Sequence, residues 1–421
     1  MPSSGSRIVG ILAGGGSLPR EIAERVAASG GAVHIVALAG EADADWAPFP
    51  ATVVGWAQVG AMVRTFKQAG CTELVIVGSV RRPDLGALRP DLGFWRNLPA
   101  ILRIIAAGGD DSVLTRVVRF FEGQGFHVVG PGEAAPELVV GEGPLGRCSA
   151  TPEARGDVAQ GFAVVRALGP FDVGQAVVVA AGRVVAIEDA GGTDGMLARL
   201  GPGTGGVLVK RPKPGQELRI DLPAIGPDTV RRAVGAGLTG IAVLAHGALA
   251  AGRDTMRELA DAAGLFVQGF ADPSPAAARG APVEVRVVAL GRRRPTAPQA
   301  ADATKGAGVL AALASLSPSR AAVVDRGHVL AVECGEGPEA VVARAGGLRQ
   351  WGRRGSRRRS GVGVVDKDGD LRALVSVARE AGLAGLAVVG HPPAAAAQAA
   401  AEAADREGLF LAVLTPVAGS S

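Results

Sequence analysis

One part of this chain is written twice. "AVVVAAGRVVAIEDAGGTD" (176–194) falls on "AAVVDRGHVLAVECGEGPE" (321–339), 145 positions later. At the same offset "AVGAGLTGIAVLA" (233–245) falls on "AREAGLAGLAVVG" (378–390). "ADAAGLF" (260–266) falls on "ADREGLF" (404–410), one position shorter. Three separated blocks in one register mean a duplicated structural unit, and each unit must bury its own apolar face or share it with its copy. Residues 275–421 therefore read as a second copy of 130–270, with "ADPSPAAARGAP" (271–282), rich in Pro and Ala, as the linker.

Ahead of the repeat, short apolar runs alternate with amphipathic stretches. "RIVGILAG", "AVHIVALAG", "TELVIVGSV" and "FHVVGP" read as four strands. "REIAERVAASG", "VGAMVRTFKQAG" and "DDSVLTRVVRFFEGQG" have the helical period, the first two stopped by Gly30 and Gly70. This alternation predicts a parallel sheet with crossover helices, whose ligands bind beyond the strand C-termini. In the repeated part, "AAGR" between two apolar runs signals a hairpin. The expected fold is α/β. An N-terminal Rossmann-like parallel sheet domain (1–132) is followed by two tandem copies of a smaller α/β domain (133–272 and 273–421).

Charge and aromatic content narrow the function. The chain carries 44 Lys and Arg against 40 Asp and Glu, with 11 Phe, 4 Trp and no Tyr. Proteins that stack bases need aromatic platforms, so nucleic acid is not an expected partner. The one dense basic run, "RRGSRRRS" (353–360), reads as a solvated loop or as a contact with phosphates or an anionic membrane surface. Three cysteines without a CxxC argue against a disulfide framework. The N-terminus runs straight into a strand, and no apolar run reaches the roughly 18–20 residues of a membrane helix, so a cytoplasmic protein is expected. Five scattered histidines lack HxxxH spacing, and no GxSxG occurs.

Several motifs carry candidate chemistry. Gly14, Gly15 and Gly16 follow the first strand, where glycine amides near a helix start suit phosphate. No GK[ST] follows, and Leu18–Pro19 break the GxGxxG spacing, so a plain tight turn is the alternative. "GSVRRPDL" (78–85) puts Arg81 and Arg82 at the rim beyond the third strand. Asp110 and Asp111 open a helix, either as caps or as carboxylates for Mg²⁺ or a ribose. "EDAGGTDGML" (188–197) gathers Glu188, Asp189, Thr193 and Asp194 around a glycine pair. It is either a turn into a capped helix or a metal or phosphate site.

The stretch "VLVKRPKPGQELRIDLPAIG" (207–226) holds two of the five lysines in 421 residues. A strand ends at Lys210, and Pro212 and Pro214 stiffen the loop around Lys213, so less entropy is lost when its ammonium is held in place. "ELRID" reads as extended, which would set Arg219 and Asp221 on one face. Two ammoniums, a guanidinium and a carboxylate suit a phosphoester. A surface ion-pair network is the alternative.

"GILAGGGSLP", "GSVRRPDL", "GDDSVL", "GQAVVVAAGRVVAIEDAGGTDGML" and "VLVKRPKPGQELRIDLPAIGPDTV" together resemble, in order and spacing, the LpxI-type UDP-2,3-diacylglucosamine pyrophosphatases over roughly 6–270. The resemblance implies an enzyme of lipid A biosynthesis. It would hydrolyse UDP-2,3-diacylglucosamine to 2,3-diacylglucosamine 1-phosphate (lipid X) and UMP with Mg²⁺ or Mn²⁺. It implies a cytoplasmic protein peripheral to the inner membrane, with the acylated substrate between the N- and C-terminal domains. It places the essential acid at Asp221. On the reading of the residues themselves, Asp221 would coordinate the divalent ion or orient the attacking water, and Asp194 is a further candidate metal ligand. Lys210, Lys213 and Arg219 would neutralise the diphosphate. Gly14, Gly15, Gly16, Arg82, Asp110, Asp111, Gln175, Thr193 and Gln216 would bind substrate.

Three positions depart from the family pattern. Gly191 stands where the family reads Glu, Leu244-Ala245-His246 where it reads Glu-Ala-Gly, and Gly252 where it reads Asp. They keep open a non-catalytic nucleotide- or lipid-binding regulator. A nicotinamide oxidoreductase rests only on the first domain's strand–glycine–helix pattern. The second copy keeps Glu333 opposite Glu188, and at the offset of 145 Asp366 falls opposite Asp221, but the lysines are gone. A degenerate copy is expected. It would pack on the first, replace a dimer partner or carry basic charge to a lipid surface, so the chain is read as a homodimer or as a monomer with the copy in the partner's place.

Overall fold

The computed structural model describes residues 7–80, 88–105, 110–272, 285–349 and 359–416. Its first sheet is wholly parallel, in the order β3-β2-β1-β4-β5. The strands are β1 (Ile8–Ala13), β2 (Ala32–Leu38), β3 (Ala51–Val54), β4 (Glu73–Val77) and β5 (His127–Val128). The central strand β1 is apolar throughout and buried on both faces, as a strand covered by helices on both sides must be. α1 (Leu18–Ala28) covers one face with Ile22, Ala23 and Val26. α2 (Val59–Gln68) and α5 (Asp110–Gly123) cover the other with Met62, Phe66, Val118 and Phe121. Between them lie α3 (Leu92–Arg96) and α4 (Leu98–Ile105), and α6 (Pro131–Ala134) leads out. β3 is a fifth strand beyond the four expected, since "ATVV" is too short for its alternation to register.

The second sheet runs β6-β13-β11-β9-β7-β8. It is made of β6 (Gly143–Pro144), β7 (Ala176–Ala180), β8 (Arg183–Ile187), β9 (Val207–Lys210), β11 (Gly240–Leu244) and β13 (Phe266–Phe270). α7 (Pro152–Leu168), α8 (Gly192–Ala198), α9 (Pro227–Gly235) and α10 (Arg253–Ala263) connect them, and β10 (Ala224–Ile225) pairs with β12 (Leu249–Ala250) apart. The third sheet runs β14-β19-β18-β17-β15-β16, the same order element for element. Its strands are β14 (Val285–Ala289), β15 (Ala321–Asp325), β16 (His328–Val332), β17 (Val362–Asp366), β18 (Gly385–Val389) and β19 (Phe410–Pro416). Its helices are α11 (Ala297–Leu313), α12 (Pro338–Leu348), α13 (Leu371–Glu380) and α14 (Ala394–Glu407).

Strand pairing corrects one expected equivalence. Val177 pairs with Val209, and Ala322, 145 positions later than Val177, pairs with Val364, which is 155 later than Val209. Val207 then pairs with Gly240, and Val362 with Gly385, where the offset is again 145. The third unit has ten more positions before this strand and ten fewer after it. The two changes cancel, so a constant offset hides them. Asp366 is therefore the counterpart of Arg211, not of Asp221: the Asp366 N–H donates to the Arg320 carbonyl at 2.9 Å, as that of Arg211 does to Gln175 at 3.0 Å.

The two units close on one shared core. Phe162, Val165 and Leu168 of α7 sit in one apolar cluster with Ala303, Ala307, Leu310 and Leu313 of α11 and with strand residues from both sheets. Each helix lies close on its own sheet through a glycine. A Cβ on Gly161 would meet Val209 at 2.7 Å, and one on Gly306 would meet Val364 at 2.4 Å.

Candidate active site

Sixteen residues, 211–226, separate β9 from α9. Gln216, 8% exposed, organises this loop. It accepts from the Lys213 N–H at 2.7 Å and donates to the Asp221 carbonyl at 2.7 Å, to Asp221 Oδ2 and to Gln175 Oε1 at 3.3 Å. A substrate contact was expected of Gln216; the structure places it inside the loop, orienting Asp221. "ELRID" is not extended. The Ile220 and Asp221 N–H groups both donate to the Glu217 carbonyl, at 3.1 and 3.0 Å, and close a turn. Arg219 and Asp221 consequently point to different partners. Arg219 is gripped by Glu217 through two bonds of 2.9 Å and by Glu122 of α5 at 2.8 Å. These contacts raise its pKa further, the Glu217 hydrogen bond most. The guanidinium expected on a diphosphate thus ties the loop to a helix of the first sheet.

Asp221 stands in a wall shared by two cavities. The smaller, a polar chamber of about 230 Å³, is lined by Asp172, Gln175, Glu188, Asp189, Lys213 and Asp221, and by His328 and Val329 of β16. The Lys213 ammonium pairs with the Asp172 carboxylate. Lys210 is 5% exposed and donates through Nζ to the Ala224 carbonyl at 3.1 Å. Burial pulls its pKa below the lysine range, against the nearby charges of Glu188, Asp194 and Asp221. Burial pushes the Glu188 carboxyl upward, opposed first by Lys210. Thr193 donates to Glu188 Oε2 at 3.0 Å, so its hydroxyl holds that acid in place.

The larger cavity, about 380 Å³, lies between the glycine turn and the loop, with Gly15, Gly16 and Ser17 on one side and Asp221, Gly226 and Pro227 on the other. The N-termini of α1 and α9 both border it, and helix N-termini favour anions. The glycine amides expected to cradle phosphate are already engaged. Gly14 donates to Val77 at 2.9 Å, Gly15 to Ser79 at 2.8 Å, and Gly16 to Asp43 Oδ1 at 3.1 Å. Gly14 serves close packing instead, since a Cβ there would sit 2.5 Å from the Ser79 carbonyl oxygen.

The remaining expected residues are dispersed. Asp194 pairs with Arg232 at 3.2 Å and is not among the residues lining either cavity. Among the described residues no group of three or more His, Cys, Asp or Glu could hold a metal ion. Asp110 and Asp111 form the first turn of α5. Arg81 and Arg82 lie outside the described residues. At two departures the backbone does the binding: the Gly191 N–H donates to Asp189 Oδ1 at 2.8 Å, and the Gly252 N–H reaches both Glu21 oxygens at 3.1 and 3.0 Å. Asp172 and His328 were missed. Asp172 has a left-handed backbone (φ 55°), a conformation Asp tolerates but no motif announces. His328 reaches the chamber only because the third unit packs there.

Residues 8–138 match the family model of the LpxI N-terminal domain. The model of the LpxI C-terminal domain matches twice, over 141–268 and 287–412, which are the stretches carrying the second and third sheets. The UDP-2,3-diacylglucosamine pyrophosphatase LpxI of Caulobacter vibrioides is 39% identical over 277 residues, 63% of this chain and 98% of that protein. With both domain models matched in order and a relative covered almost from end to end, the chain belongs to the LpxI family.

Proposed function

We propose that the protein hydrolyses UDP-2,3-diacylglucosamine to 2,3-diacylglucosamine 1-phosphate and UMP. The position of Asp221, on the wall between two cavities, carries this reading. A pyrophosphate joins two unlike halves, and a site that cuts it needs two compartments meeting at the reacting group. The nucleotide half suits the larger cavity, where two helix N-termini meet its phosphate. The sugar-phosphate half suits the chamber, where Lys213 lies in the wall and Lys210 is buried close behind. Fixed charges of this kind act most on the transition state, where negative charge builds up on the transferring group.

A divalent ion fits this donor set in one way. Mg²⁺ is usually held by one or two carboxylates together with substrate phosphates. Asp221, with Gln216 steadying one of its oxygens, suits that role; Asp194, held by Arg232, does not. Such an ion would offset charge on the diphosphate. In this reading the chain is a Rossmann-like domain followed by two copies of one α/β domain, with a single reactive site. The substrate is a lipid, and among the described residues no helix is long and apolar enough to cross a membrane. Leu92, Trp95 and Leu102 of α3 and α4 are exposed and would meet the inner-membrane surface where that lipid resides.

The test uses purified protein, Mg²⁺ and UDP-2,3-diacylglucosamine, with UMP and the lipid product read by mass spectrometry. Asp221→Ala is expected to lower turnover about 10²–10³-fold. Full metal-dependent turnover by that variant would refute the assignment.

A further inference from the structure

The third unit contributes to the chamber as well as to the core. The β15–β16 hairpin turns through Arg326 (φ 52°) and Gly327 (φ 80°), the geometry of a tight two-residue turn. Asp302 of α11, 5% exposed, accepts from the N–H groups of both, at 2.9 and 2.7 Å. Lys305, one helical turn along, donates through Nζ to the Gly327 carbonyl. The tip is thus held from beneath at its amides and its carbonyl. The next residue, His328, is delivered to the wall of the chamber that Lys213 and Asp221 also line. The second unit has the same device: Asp157 accepts from Ala181 and Gly182, at 3.2 and 2.7 Å, and Arg183 follows. Arg183 is exposed and lines none of the cavities described above. Of the two matching tips, that of the third unit reaches the chamber lined by Lys213 and Asp221.

We propose that His328 is a substrate-contacting residue: its imidazole hydrogen-bonds a phosphate or hydroxyl oxygen of the sugar-phosphate half held in the chamber. This rests on the reaction proposed above. It gives the third unit a part in recognition although it lacks the loop that carries Asp221. A hydrogen bond from a ring N–H to a phosphate is charge-assisted, so its loss is felt in binding.

The experiment compares the full chain with His328→Ala and His328→Gln. Loss of the contact is expected to lower kcat/KM roughly tenfold, mostly through KM, with the melting temperature held and partial recovery in His328→Gln. Glucosamine 1-phosphate should also shift one imidazole resonance among the five histidines, and that signal should be absent from His328→Ala. Unchanged kcat and KM in His328→Ala, or no histidine shift with the probe, would overturn the inference. A chain that hydrolyses nothing but still shows the His328 shift would sink the reaction and leave the contact standing. Turnover lost in Asp221→Ala but intact in His328→Ala would do the reverse.

Discussion

Val209 in the second unit and Val364 in the third hold the same place, each pressed by a helix glycine, Gly161 or Gly306. One residue on, the units part: Lys210 stands opposite Ala176, and Val365 opposite Ala321. After that residue the second unit runs a 16-residue loop to its helix, while only residues 367–370 separate β17 from α13. The two differences belong together. A buried ammonium is tolerable only with partners, and Lys210 finds them in the Ala224 carbonyl and the surrounding acids. Ala224 belongs to the far end of the long loop's path. Without that path a lysine would be left unpaired, and valine fits. Glu333 persists opposite Glu188 for another reason: it accepts from the N–H groups of Arg320, Gly335 and Gly337 at 2.9, 2.6 and 3.2 Å. Sheet and hairpin survive because packing holds them; the loop holds only what the second unit does with it.

The severest test of the comparison is deletion of 273–421. The cut would bare Phe162, Val165, Leu168 and the strands beneath, each large side chain costing about 1.5–3 kcal/mol once exposed. The remainder is expected to precipitate or to self-associate through α7, as read by light scattering on a sizing column; a soluble monomer of full activity would break the shared-core view. Next comes Val365→Lys, which buries an ammonium where no loop can serve it, at a cost of about 3 kcal/mol or more in denaturant titrations. The reciprocal Lys210→Met should alter the pH profile of stability. Lys210 has a folded pKa below its ordinary 10.5, so between the two values the unfolded chain binds more protons and stability rises with pH. Lys210→Met should remove that alkaline rise, and a rise that persists would place the titration elsewhere.

A smaller effect tests likeness rather than difference. Asp157→Ala and Asp302→Ala each strip a hairpin of two hydrogen bonds to a buried carboxylate, and each should cost about 1–3 kcal/mol. Markedly unequal costs would show that the two hairpins are held differently. The smallest effect belongs to Asp366→Ala. Its carboxylate pairs with the half-exposed Arg320 at 2.8 Å, so the loss should stay within about 1 kcal/mol with turnover untouched. A loss of turnover would restore Asp366 as a counterpart of Asp221.

Much of this was legible in the chain itself. Apolar strands, glycine stops and the "AAGR" turn signal local structure with local physics, and those elements form where their periodicity puts them. Lys210 and Lys213 stand out by composition, and both serve the neighbourhood of Asp221. What escaped was set by contacts distant in sequence. The partners of Arg219 include Glu122, 97 residues away, and a residue so far off leaves no mark on the spacing of "ELRID". The Gly14 and Gly15 amides are taken by the turn after β4, across the sheet, and the Gly16 amide by Asp43, 27 residues on. Asp366 misled because an insertion and a deletion of equal length cancel in any constant offset, and only the strand ladder separates them.

The chamber takes one wall from each unit, and both units belong to one polypeptide. Closure is therefore intramolecular, at an effective concentration of about millimolar for a short tether. Dilution cannot open such a site, so activity per molecule should hold at protein concentrations where sites shared between separate subunits come apart. Nor can two damaged molecules repair each other: a chain lacking Asp221 mixed with one lacking His328 should stay as impaired as its parts, since neither can lend its intact wall.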